Sequence, residues 1–262
     1  MDNRKFTVVV TLSLLAALAL VAGGLQLATG AYTTSPIEPA PASKSCNETP
    51  PPNNDRLVVG VIGDSYTGGT SMGGKGNDSW AEKLTGMLSA DMPVDVQPIA
   101  YGGSGYINVG PFKKTFVDAL LQLEPWQPDI IVIFGSINDN GQNPEQLYQT
   151  ATNVYNRARV LYPNSQMMVI GPTWHLESQA VHDNSAAVLS AAQDAHIPTF
   201  DPLPEKWFVL DRDNIAADGV HPTSAGHTLM AQRIAPHVQD LIDAQPNLDI
   251  GTIFRPARQN CR

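Results

Sequence analysis

Apolar and polar positions alternate along this chain on two different periods. Val58, Val59, Gly60, Val61 and Ile62 form a β-branched run between Arg56 and the glycine-rich segment that starts at Gly63. A continuous apolar run this short predicts a strand buried on both faces. Strands are also predicted at about Val94–Ile99, at the apolar runs Ile130–Phe134 and Met167–Ile170, and at the short Thr199-Phe200. Between them the spacing changes to the helical period. Trp80, Leu84, Met87 and Leu88 fall on one helical face. Asn143-Pro144-Glu145 supplies a cap and a first-turn proline for a long helix ending near Tyr162. Further helices are expected at about Lys114–Leu123, Asn184–Ala195 and Thr223–Ala244. Alternating strands and helices with apolar strands predict a three-layer α/β/α sandwich around a parallel sheet. Such sheets place their chemistry beyond the carboxyl ends of the strands.

The ends of the chain read differently. Arg4 and Lys5 precede an apolar stretch from Phe6 to about Leu27, followed by the small residues Ala28-Thr29-Gly30-Ala31. A charged start, an apolar core and small residues fit a cleaved signal peptide. The apolar stretch is also long enough to span a bilayer as an uncleaved anchor. With Arg4 and Lys5 retained inside, either reading places the remainder outside the cytoplasm, secreted or held on the outer face of the cytoplasmic membrane. Residues 31–55 are rich in Pro, Ser, Thr and Asn and read as an extended linker. The domain expectation is therefore 1–30 leader or anchor, 31–55 linker and 56–262 globular domain. Cys46 and Cys261 are the only cysteines. In an oxidising compartment they are expected to pair, clamping the linker to the C-terminal tail; the alternative is two unpaired or intermolecular thiols.

Composition narrows the function. The chain has a formal net charge of −9. Through residue 56, Arg4, Lys5, Lys44 and Arg56 balance Asp2, Glu38, Glu48 and Asp55, so the excess negative charge lies on the globular domain. An acidic domain without a basic run argues against nucleic acid as a partner. His175, His182, His196, His227 and His237 show no metal-ligand spacing, so no metal or other cofactor is expected. Gly69 to Gly74-Lys75 imitates a phosphate loop, but Gly76 stands where a magnesium-binding Ser or Thr belongs. No visible interface indicates an oligomeric state.

Four segments carry candidate chemistry. Gly63-Asp64-Ser65-Tyr66 follows the first strand and Tyr101-Gly102-Gly103-Ser104-Gly105 the second. Gly135-Ser136-Ile137-Asn138-Asp139 follows the third, and Asp218-Gly219-Val220-His221-Pro222 precedes the last helix. Acyl transfer needs an activated hydroxyl, a base held by an acid, and donors for the developing oxyanion. Ser65 can attack, His221 can take its proton, and Asp218 can hold the imidazole tautomer. The Ser65 N–H, the Gly103 N–H and the Asn138 amide can face the oxyanion. Asp64 and Asp139 read as structural supports. Tyr66, Tyr106 and Trp207 fit either an aromatic wall for substrate or the core, and Trp174-His175 either a cleft lining or packing.

In this order the four segments resemble the SGNH hydrolase superfamily, the GDSL-type esterases and lipases. The resemblance runs from about Leu57 to the last helix. Tyr66 stands where the founding motif has leucine, and Ser136 replaces a glycine of the Gly-Gly-x-Asn-Asp variant. In the loosest segment, Gly102 and Gly105 compete with Gly103, which has the family's usual offset of five residues from Pro98. The resemblance implies a flavodoxin-like five-stranded sheet of order 2-1-3-4-5 and an exported serine esterase acting on small acyl esters. Its substrate would be a small-molecule, glycan or lipid ester, plausibly of the cell envelope. Two alternatives stay open: an O-acyltransferase with a sugar hydroxyl as acceptor, and an envelope binding module without activity.

Overall fold

The computed structural model describes residues 56–244 apart from Asp91 and Asp211. The expected leader, the linker and the Cys46–Cys261 pair lie outside the described residues. The strands are β1 (Leu57–Gly63), β2 (Val94–Ala100), β3 (Ile130–Phe134), β4 (Gln166–Ile170) and β5 (Thr199–Phe200). The helices are α1 (Ser65–Gly68), α2 (Trp80–Leu84), α3 (Phe116–Gln122), α4 (Pro144–Leu161), α5 (Gln179–Asp194) and α6 (Ser224–Asp243). The sheet order is β2-β1-β3-β4-β5 with every pairing parallel, as the resemblance implied.

Strand side chains alternate between two cores, which is why the inner strands β1 and β3 lack polar side chains, whereas the edge strand β2 carries Asp95 and Gln97. Leu57, Val59, Val61, Ile130, Val132, Phe134, Met168 and Ile170 face a core closed by α2 and α6. Ile62, Ile131, Ile133, Met167 and Val169 face the other, closed by α3, α4 and α5. At 25 cal/mol per Å² of apolar area, a fully buried Val or Ile side chain contributes about 2 kcal/mol.

Two helix expectations change, and one open choice is decided. Helix α2 stops at Leu84, just before Gly86, and Met87 points outward at 41% exposure although Leu88 is buried. Helix α5 begins five residues earlier than its apolar spacing suggests, because the Ser178 side chain caps it by accepting the Val181 N–H. Of the two readings open for Tyr106 and Trp207, wall or core, the core holds. Both are buried, Tyr106 against Phe116 and Tyr155, and Trp207 against Phe200.

Candidate active site

Strand β1 delivers the chain into a tight turn. A side-chain carbon on Gly63 would sit 2.1 Å from Thr67 Oγ1, so glycine is what lets α1 fold back onto the strand end. Asp64 caps that turn, its Oδ1 accepting the Tyr66 N–H at 2.8 Å. Ser65 follows, nine-tenths buried at the carboxyl end of β1.

The segment before α6 brings the other partners. His221 Nε2 lies 3.1 Å from Ser65 Oγ, across 156 residues of sequence. On the far side of the ring, Nδ1 lies 2.7 Å from Asp218 Oδ2. The other oxygen, Asp218 Oδ1, accepts the Val220 and His221 N–H groups at 2.9 and 3.0 Å. The imidazole hydrogen bond, followed by these backbone donors, holds the Asp218 carboxyl down at about 2. Asp218 is therefore a carboxylate near neutral pH. With the ring proton on Nδ1, directed at Asp218, Nε2 is open to accept from Ser65 Oγ. Serine, imidazole and carboxylate thus form one hydrogen-bonded chain.

The expected oxyanion donors fare unequally. Among the described residues, neither the Ser65 nor the Gly103 N–H has a turn or loop acceptor. Gly102 is the glycine that borders the nucleophile: a side-chain carbon there would lie 3.8 Å from Ser65 Cβ. Gly105 drops out as a donor, because its N–H bonds the Asn108 carbonyl at 2.8 Å. Asn138 is already engaged. Its Nδ2 donates to Asp64 Oδ2 at 2.9 Å and to the Ser104 carbonyl at 2.8 Å. Reaching an oxyanion would require Asn138 to release one of these acceptors. The Ser104 carbonyl is the easier to release, since the Ser136 hydroxyl also donates to it at 2.9 Å.

Asp64 and Asp139 are the structural supports expected of them. Burial pushes the Asp64 carboxyl up to about 6, against the hydrogen bond from the Tyr66 N–H. Asp139 accepts the N–H groups of Tyr106, Ile107 and Asn108 and so shapes the loop after β2. Trp174 packs on Tyr66 and His175, with ring centroids 6.4 and 4.6 Å away.

Two further residues border the site: Tyr66, which the sequence reading placed only as wall or core, and Phe112, which it missed. The Tyr66 phenol donates to the Val220 carbonyl at 2.6 Å, and its ring centre lies 6.4 Å from that of His221. The signal was its departure from leucine in the first motif. Phe112, 62% exposed, places its ring 3.8 Å from the Cβ position of Gly102, the same distance as Ser65 Cβ. An aromatic in the loop Gly110-Pro111-Phe112, so close after the second motif, was its signal.

The profile of the GDSL-like lipase/acylhydrolase family matches residues 61–229. The Mycobacterium tuberculosis GDSL lipase Rv0518 is 36% identical over 189 residues, which cover 68% of this chain and 80% of that protein. The fold is similar to that of a family two carbohydrate esterase from Clostridium thermocellum in complex with cellohexaose. That match has a TM-score of 0.59 and 18% identity over 71% of this chain and 65% of the other. It is also similar to the psychrotrophic esterase EstA from Pseudoalteromonas sp., inhibited by monoethylphosphonate. Here the TM-score is 0.54 and the identity 13%, over 71% of this chain and 98% of the other. At these identities the two structural likenesses are likenesses of fold.

Proposed function

Because the chain belongs to the GDSL-like lipase/acylhydrolase family and is a carboxylic ester hydrolase, we propose that it is an exported serine esterase that hydrolyses small acyl esters through an acyl-enzyme on Ser65. The observation that carries this reading is the unbroken chain from Ser65 Oγ through His221 to Asp218, at 3.1 and 2.7 Å. In the first half-reaction the Oγ proton passes to His221 Nε2 as the Oγ–carbon bond forms. The carbonyl oxygen takes the negative charge and faces the Ser65 and Gly103 N–H groups. Collapse breaks the carbon–oxygen bond of the ester, and the proton on Nε2 goes to the departing alcohol. Water then attacks the acyl-serine, its proton passes to Nε2, and expulsion of Oγ returns that proton to the serine. Asp218 stays ionised and holds the imidazolium that forms in each half.

Asn138 joins the oxyanion donors by giving up its bond to the Ser104 carbonyl, which retains the Ser136 hydroxyl. Arg4, Lys5 and the apolar stretch behind them support export, and export would make envelope or extracellular esters the substrates at hand. The Phe112 ring beside Gly102 supports an acyl pocket that is open and apolar on one side. The test is a panel of esters from acetyl to long acyl, each run with and without sugar acceptors. Free acid is expected as the main product, with the short esters turned over fastest. Acyl sugar as the main product would instead identify an O-acyltransferase built on the same residues.

A further inference from the structure

The Asp218–His221 pair sits on an exposed loop, with 30% of the Asp218 and 26% of the His221 side chain open to solvent. Burial alone does not hold it. Within the loop, Ala216 N–H bonds the His221 carbonyl at 2.8 Å and Gly219 N–H bonds the Ala216 carbonyl at 2.9 Å. Asp218 Oδ1 takes the Val220 and His221 N–H groups. These bonds shape the loop but do not fix its distance from Ser65. Apart from the Ser65–His221 contact, one hydrogen bond among the described residues reaches 216–221 from outside the 214–223 segment. It is the bond from the Tyr66 phenol to the Val220 carbonyl.

We propose that Tyr66 is a positioning residue for His221: its phenol ties the loop carrying the base to the turn carrying the nucleophile. The inference rests on the roles given above to Ser65 and His221. Tyr66 directly follows Ser65 in α1, and Val220 directly precedes His221, so this bond runs beside the catalytic contact and sets its length. The anchor is stiff. Tyr66 is 2% exposed, and its ring packs edge-on against Phe208 at 6.1 Å and tilted against Trp174 at 6.4 Å. Burial, with Asp64 and Asp218 nearby, pushes the phenol well above its ordinary value, so the hydroxyl remains a donor. Leucine at this position, as in the founding motif of the family, could make no such bond.

Tyr66→Phe tests this. It keeps the buried ring, and the freed carbonyl belongs to Val220, which is 37% exposed and can turn to water. The variant should fold with a melting temperature close to that of the full-length wild type. One neutral hydrogen bond corresponds to a loss of about fivefold in kcat on p-nitrophenyl acetate, with KM within about twofold. The downfield proton resonance of the His221 Nδ1–H should broaden, as the imidazole samples positions away from Asp218 and Ser65. Tyr162→Phe is the control. It removes another buried phenol hydroxyl, bonded to the Leu120 carbonyl at 2.8 Å and outside the site, and should keep kcat within about twofold whatever it does to melting. Wild-type kcat and an unchanged resonance in Tyr66→Phe overturn the proposal, as does an equal kcat loss in Tyr162→Phe. Ser65→Ala, run alongside, separates the two levels. If it retains activity, the catalytic reading fails; if it is dead while Tyr66→Phe equals wild type, only the positioning role fails.

Discussion

His227 offers a test of how the loop beside Ser65 is held. It lies on α6, 1% exposed, and its Nδ1 accepts the Trp80 N–H at 3.3 Å. A side-chain carbon on Gly74 would stand 2.0 Å from Nε2, so the Gly74 backbone lies against the imidazole. Burial is the main reason that this imidazole is pushed from 6.5 down to about 4. The folded protein then binds fewer protons than the unfolded chain between these values. Stability from His227 is complete above about pH 6.5 and is lost as pH falls towards 4. At about 1.4 kcal/mol per pH unit, the loss is about 3 kcal/mol. Asp64 works in the opposite sense. Its carboxyl is raised from 3.8 to about 6, so the folded state carries a buried charge above pH 6 and sheds that cost as pH falls towards 3.8. That relief is also about 3 kcal/mol, so the two effects mask each other in the wild type. His227→Asn removes one of them and leaves an amide oxygen near the Nδ1 position for the Trp80 N–H. Urea unfolding of wild type and variant should be compared from about pH 7 to about pH 4. A constant deficit from the smaller side chain is expected at neutral pH. Relative to wild type, the variant should then gain about 3 kcal/mol by pH 4. A stability difference that stays flat across this range would refute a buried, neutral His227.

Three further outcomes follow from the site. Asp218→Asn leaves Nδ1 without a carboxylate and should lower kcat by about 10²-fold or more with the fold intact, read by steady-state kinetics beside circular dichroism. Asn138→Ala removes the amide from both Asp64 and the oxyanion; a kcat loss of about 10²-fold with unchanged KM supports the donor role, whereas a fall in melting temperature alone makes Asn138 only a brace for Asp64. Phe112→Ala removes the apolar ring beside Gly102 and should lower kcat/KM about tenfold for butyryl or longer esters while sparing acetyl esters, each chain carbon being worth about 0.8 kcal/mol.

The sheet was readable in the sequence because strands buried on both faces leave unmistakable apolar runs, as at Ile130–Phe134. The helices were readable in existence but less so at their ends. Met87 looked like a core residue by period alone, and the capping of α5 by Ser178 lies outside the apolar pattern. Ser65, Asp218 and His221 stood out because their types and flanking residues fit one chemistry at strand ends and in the final loop. Hydrogen-bond bookkeeping was not readable. That Asn138 spends both amide protons on Asp64 and Ser104, and that Gly105 spends its N–H on Asn108, depends on loop paths that no motif spells out. The link from Tyr66 to Val220 spans 154 residues and likewise leaves no periodic trace.

The central claim is that Ser65, activated by His221, forms a covalent acyl-enzyme. Its most direct measurement is intact-protein and peptide mass spectrometry after exposure to a serine-directed phosphonate. The account predicts one adduct on the wild type, mapped to the peptide carrying Ser65, and none on Ser65→Ala. An unlabelled wild type, or a Ser65→Ala variant labelled as fully as the wild type, contradicts it.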